Sequence, residues 1–192
     1  MKNLAYYIGF LVLVALLFFG VRSLFVHNKK TVQTLKTTIS QTLTDLSASD
    51  TKVIQTTQGP VVGDEARREV RITIGRSERK VEVVQGYQNT VINSQSFYNN
   101  QSAYDIFLRS IARLGYSISR KANPMDERGV CSSGQTFIYE VVDSGETKLD
   151  QRLWGASCSA SLGTFKGNGP AIRNLFQQQI PNYSTIVSNA RI

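Results

Sequence analysis

From Leu4 to Val21 the chain reads LAYYIGFLVLVALLFFGV, eighteen residues without a charge. At about 1.5 Å per helical residue, and with Ser23 to Val26 as a continuation, such a run is long enough to cross a hydrocarbon core of about 30 Å. Residues 1–27 therefore read as one transmembrane helix, and the first partner the sequence implies is a lipid bilayer. A cleaved secretory leader is the rival reading, because Lys2 supplies a charged start. The run is longer than the apolar segment of such leaders, and no A-x-A-like site closes it. Direction is contested within the sequence. Arg22, Lys29 and Lys30 outweigh Lys2, which by the positive-inside tendency would keep the following residues in the cytoplasm; the cysteines discussed below argue for the opposite side.

The remaining chain has room for one globular domain. The formal net charge of +8 invites an anionic partner, but residues 1–59 carry +4 of it and residues 60–192 the other +4. Half of the excess thus lies beside the expected membrane helix or just after it, where basic residues commonly meet anionic headgroups.

From Asn28 to Pro60 Thr, Ser and Gln dominate, a composition that reads as a polar stalk over residues 28–60. Val32, Leu35, Ile39, Leu43 and Leu46 recur at helical steps within it. One reading is a coiled-coil seam that joins two copies in a weak homo-oligomer or receives a protein partner. The other is a helix lying on its own domain or on the membrane surface, favoured because the stripe is shorter than the roughly three or four heptads of a coiled coil. Ala48 to Pro60 reads as flexible linker.

Residues 61–192 read as a small α+β domain: an antiparallel sheet built from two hairpins with two packed helices. Val70, Ile72 and Ile74 alternate with polar residues, Lys80 to Val84 offers a second β-branched run, and Gly75 to Glu78 make the turn. This hairpin carries Arg67, Arg68, Arg71, Arg76, Arg79 and Lys80, the candidate site for an anionic polymer or headgroup. Asp64, Glu65, Glu69, Glu78 and Glu82 are interleaved, leaving a local excess of +1. Mixed charge on a solvated strand face accounts for that more simply than a single-sign field, and nucleic acid is disfavoured as a partner.

Tyr87 to Asn100 reads as a polar stretch in which Val91, Ile92 and Phe97 suggest a short strand. A helix is expected near 103–114, with Ser102 and Asp105 as a capping box and Gly115 as its left-handed stop; Tyr104, Phe107, Leu108, Ile111 and Leu114 give its buried stripe. A second is expected over 170–180, begun by Asn168 or Gly169 and Pro170, with Ile172, Leu175, Phe176 and Ile180 inward. The glycines from 163 to 169 invite comparison with a phosphate-cradling loop, but the order lacks Lys and Ser/Thr directly after the last Gly. The tail to Ile192 reads as loosely held.

The second hairpin pairs Gln135–Val142 with Glu146–Trp154 around Asp143, Ser144 and Gly145. If Ser144 and Gly145 are the loop, Cys131 comes opposite Cys158, within reach of a disulfide. Such a bridge indicates an oxidising compartment and places the domain outside the cytoplasm. Cys131, Cys158 and Trp154 are the residues on which the domain's integrity is expected to rest.

No metal and no cofactor is expected. Two Cys and the single His27 fall short of a zinc site, and no Ser, Cys or Thr nucleophile has a His beside it outside the juxtamembrane stretch. The expected role is non-enzymatic: a single-pass membrane protein presenting a small binding or structural domain outside the cytoplasm. The alternatives are the anion binder just described and a hydrolase using carboxylates brought together by the fold.

Overall fold

The computed structural model describes residues 43, 50–122, 126–142, 151–159, 162–188, 190 and 192. The chain divides into two compact units, residues 1–39 and 40–192, and every described residue belongs to the second. The expected transmembrane helix and most of the stalk stripe lie outside the described residues. Among the described residues no helix is long and apolar enough to cross a membrane.

Nine elements follow one another: β1 (Lys52–Gln58), β2 (Arg68–Ile74), β3 (Glu78–Gln85), β4 (Thr90–Tyr98), α1 (Gln101–Arg113), β5 (Thr136–Val142), β6 (Gln151–Ala156), α2 (Gly169–Gln178) and α3 (Tyr183–Val187). The strands form one open six-stranded sheet in the order β4-β3-β2-β1-β5-β6, with every neighbouring pair antiparallel. The α+β class and the antiparallel sheet with packed helices are as the sequence implies. The sheet is larger than two hairpins because Lys52–Gln58, expected as linker, and Thr90–Tyr98, within the polar stretch after the first hairpin, are full strands.

The chief correction concerns the linker expected from Ala48 to Pro60. Its residues Lys52–Gln58 are β1, which lies inside the sheet between β2 and β5. Composition misled here: KVIQTTQ is polar, yet Thr and Val are β-branched and favour the pleated strand. Leu43, the one described member of the stalk stripe, is buried in the same core. The folded unit thus takes in chain assigned from sequence to the stalk.

One side of the sheet carries the core. Val53 faces Ile74 and Val141, Gln55 faces Ile72 and Tyr139, and Thr57 faces Val70 and Phe137 across the two ladders of β1. Tyr104, Phe107, Leu108 and Ile111 of α1 and Ile172 and Phe176 of α2 join those residues in one buried cluster. The helix cap differs from expectation: Asn100, not Ser102, accepts the amide of Ala103 through its side chain, and Gly115 follows with φ +83°. For α2, the Asn168 side chain accepts from Ala171 N–H and Pro170 stands in the first turn, as read from sequence. The tail is not loose. Ile186 and Ala190 are buried in the core, and Ile192 packs against it.

The second hairpin carries the most instructive discrepancy. Thr136 faces Ala156, not Leu153 as a two-residue loop at Ser144 and Gly145 would place it; that turn lies outside the described residues. Cys131 and Cys158 are nevertheless bonded, with Cα atoms 5.7 Å apart. Beyond the last ladder pair, Ser157 N–H bonds Gln135 O, and a turn closed by Gly134 N–H to Cys131 O folds the cysteine back. Gly134 is obligatory at that corner, since a Cβ there would lie 2.5 Å from Cys131 Sγ and 2.5 Å from Ser157 Oγ. The bridge therefore ties the start of β5 to the end of β6 through a turn that strand counting does not reveal.

On the reverse side of the sheet, Arg152 of β6 bonds Glu140 at 3.1 Å and also bonds both carboxylate oxygens of Glu127, which belongs to the segment before β5. The Arg152 guanidinium holds the Glu127 carboxyl below its ordinary value of 4.5. A carboxylate whose folded pKa is depressed contributes stability above its unfolded pKa and loses it as pH falls through the folded one. Stability of the wild type should thus fall more steeply below about pH 4.5 than that of Glu127→Gln, as followed by urea midpoints across the acid range. Replacing both cysteines by alanine should cost about 3.5 kcal/mol for a loop of this length, read as a lower urea midpoint with a steeper slope, because the unbridged denatured chain exposes more surface.

A cationic cleft beside the disulfide hairpin

Strand alternation puts Phe137 and Tyr139 of β5, with Gly155 of β6 opposite Phe137, on the helix-bearing side of the sheet. Because glycine has no side chain, β6 leaves a hollow there: a Cβ on Gly155 would meet nothing closer than Leu162 O at 4.0 Å. Around the hollow runs a cleft of about 490 Å³, floored by Phe137, Tyr139 and Phe165 and lined by Arg120, Lys166 and Arg173. Among the described residues no Asp or Glu lines it. A concave, largely aromatic pocket with a few convergent polar groups is the usual form of a ligand site.

Each charged group has a structural reason to be there. Arg173 lies on the first half of α2, its guanidinium 3.7 Å from the Phe137 ring centroid and its Nη1 donating to Tyr139 Oη at 3.2 Å. Stacking on one ring and bonding the next holds the planar cation against the pocket floor. Arg120 donates to the carbonyls of Gly163 and Leu162 at 2.8 and 3.0 Å, fixing the chain that runs to Phe165. Lys166 is exposed at the rim, and its backbone N–H bonds Ile118 O. Tyr139 also stacks on Phe165, with ring centroids 4.1 Å apart. Gly167 is pressed on the turn after α1, where a Cβ would lie 2.4 Å from Gly115 O, so the rim can close only with glycine there. The first turn of α2 is capped by Asn168, and the attraction for an anion comes from the three side chains.

The sequence-predicted cations are placed elsewhere and are not brought together. Arg67 pairs with Glu69 at 2.8 Å and stacks over Tyr87. Arg68 donates to the carbonyls of Glu65 and Arg67. Arg71 faces Glu82 across the β2–β3 ladder, and Lys80 reaches the same Glu82 at 2.6 Å. Arg76 lies 3.7 Å from Asp50. Arg79 is on the helix-bearing side and donates to Tyr98 O and Gln179 O. Among the carboxylates considered from sequence, Asp143, Glu146 and Asp150 lie outside the described residues, and among those described no group of three or more His, Cys, Asp or Glu could hold a metal ion. Two further cavities are of mixed sign, one with Arg67 and Arg128 beside Glu69 and Glu127, the other with Lys52 and Arg76 beside Asp50 and Glu78.

Sequence reasoning reached one wall of the cleft, the glycine-rich run from Gly163 to Gly169, and set it aside on motif order. It missed Arg120, Arg173 and the aromatic floor, since those residues come from three separate segments joined only by the fold. The one signal available was Lys166 inside that glycine run, without an acid from Thr164 to Gln179. Comparison of the chain with protein-family models, with curated proteins and with solved structures found no match.

Burial raises the Tyr139 hydroxyl above its ordinary value of 10.0, and the Arg173 charge works against that rise. Ultraviolet titration of phenolate should accordingly find this tyrosine ionising above the ordinary range, and Arg173→Gln should raise it further. Ionisation unchanged by that substitution would contradict the contact.

Proposed function

We propose that the chain is a single-pass membrane protein whose domain, held outside the cytoplasm, is a non-enzymatic binding module for a ligand bearing a carboxylate or phosphate. The observation that carries the ligand class is the aromatic cleft with Arg120, Lys166 and Arg173 on its walls and no acid among its described lining residues. In a cleft walled by low-dielectric protein, three cations of one sign raise the local concentration of anions, and Arg173 offers the planar fork that matches a carboxylate or phosphate. The uncharged stretch from Leu4 to Val21 supports membrane attachment. The Cys131–Cys158 bond supports an oxidising space for the domain, since thiols in the cytoplasm are kept reduced. That bond also joins the ends of the two strands that floor the cleft, so the proposed site and the compartment are linked: reduction loosens β5 against β6 where the ligand would lie.

Two experiments test the reading separately. For the ligand class, the full chain in detergent micelles is titrated with inorganic phosphate and with benzoate while the backbone amides of Gly155, Gly167 and Gly169 are followed by NMR. Saturable shifts at those three glycines, weakened by added salt, are expected from at least one probe. Gly155→Val, which builds a side chain into the hollow, should abolish them at Gly167 and Gly169. Shifts absent with both probes, or equal in Gly155→Val, would remove the cleft as the site. For placement, protease added outside intact cells should digest the domain; a domain protected until the membrane is breached would reverse the assignment.

A further inference from the structure

The two edges of the sheet are finished differently. Beyond β6, the chain returns alongside it: Phe165 N–H bonds Trp154 O at 2.9 Å and Trp154 N–H bonds Thr164 Oγ1 at 3.1 Å. That edge is covered at its middle. Beyond β4 no such return exists among the described residues, and no backbone group from Thr90 to Phe97 bonds to anything described except β3. An edge strand left in this state presents a row of unpaired N–H and C=O groups, for which the complementary surface is another extended strand.

Natural sheets blunt open edges with charge, proline or a short strand. β4 has none of these. Its nine residues, TVINSQSFY, include neither Pro nor Gly, and it is the only strand of the six without a charged residue. It is exposed along nearly its whole length, with Tyr98 at 79% and Val91 and Ile92 at 46% each. The one interruption is a bulge at Ile92, where the register with β3 shifts between Val83 and Val84. From Asn93 to Tyr98 the ladder is regular.

We infer that β4 is a pairing edge that joins two copies of this chain, strand against strand, about a two-fold axis beside Gln95. The second copy is singled out by the asymmetry of the edges. Because the returning chain interrupts the β6 edge at Trp154, the long continuous edge that β4 of one copy can meet is β4 of another, and an edge that pairs with itself in antiparallel fashion closes at two. An uncharged strand meeting its own copy buries no charge and opposes no like charges. In this arrangement Asn93 faces Phe97 of the second copy and Ser94 faces its Ser96. The bulge at Ile92 limits the pairing to the regular half of the strand, which makes the contact small and dependent on local concentration.

The test uses the full chain in detergent micelles, followed by analytical ultracentrifugation over a range of protein-to-detergent ratios. The wild type should show a monomer–dimer equilibrium, and Ser94→Lys/Ser96→Lys, which places like charges opposite each other on the exposed strand, should shift it to monomer with an unchanged melting temperature. Gln95→Cys should form a disulfide-linked dimer under mild oxidation, whereas Ile106→Cys, also exposed but on α1, should not. A wild type that stays monomeric, a dimer that survives the two lysines, or Gln95→Cys crosslinking no better than Ile106→Cys would overturn the proposal. The second of these outcomes would place the contact in residues 28–49 or the apolar stretch instead.

Discussion

The sheet depends on a polar strand held at its centre. β1 supplies both ladders that join β2, β3 and β4 on one side to β5 and β6 on the other, so without it there are two unconnected pieces. A central strand reading Lys-Val-Ile-Gln-Thr-Thr-Gln can be buried only if its polar groups find partners inside. They do. Gln55, 1% exposed, donates from Nε2 to Thr57 Oγ1 at 3.0 Å. Tyr104 Oη donates to Thr51 O at 2.7 Å, and Tyr116 Oη is shared between Ile54 O and Glu140 O, so tyrosines from the helical layer fasten β1 and β5 at their backbones. Among the described residues no buried side-chain nitrogen or oxygen lacks a hydrogen-bond partner. Burial holds both phenols well in the neutral, donating form.

That arrangement explains what the sequence disclosed and what it hid. The amphipathic helices were legible because their apolar stripes recur at helical spacing: Tyr104, Phe107, Leu108 and Ile111 are all buried, and Ile172 and Phe176 likewise. The β2–β3 hairpin was legible from strict alternation and a glycine-led turn. β1 was not, since its inward positions are Val53, Gln55 and Thr57, an alternation in hydrogen bonding rather than in hydrophobicity. β4 was legible only as a short strand at Val91, Ile92 and Phe97 within a polar stretch, as an edge strand with eight of its nine residues exposed has no face to alternate. The disulfide was expected on a register that the structure does not have, and its formation owes more to the Gly134 turn than to strand opposition. The cleft could not be read at all from one segment. Its floor requires β5 and β6 side by side, and its cations arrive from the chain after α1, from the glycine-rich run and from α2.

The proposed site and the proposed pairing edge lie at opposite ends of the strand order. The cleft belongs to β5 and β6, next to the disulfide and the covered edge; β4 is the far strand. An occupied cleft and a paired edge therefore do not compete for the same residues. Between them the aromatic chain Phe165, Tyr139, Tyr116, Phe176 and Phe107 runs from the cleft floor into the core, each ring packed on the next at centroid distances from 4.1 to 5.9 Å. Such rings bury large areas and prefer these offset or edge-on contacts, so the cleft floor is part of the core and shares its rigidity.

Amide hydrogen exchange on the full chain is the most direct measure of whether β1 holds the sheet together. The amides from Val53 to Thr57, bonded between two ladders beneath the helical layer, should be among the slowest to exchange and should open only with the whole domain. Exchange there at the rate of an unstructured Thr- and Gln-rich segment would contradict the account, and would return these residues to the linker that their composition suggests.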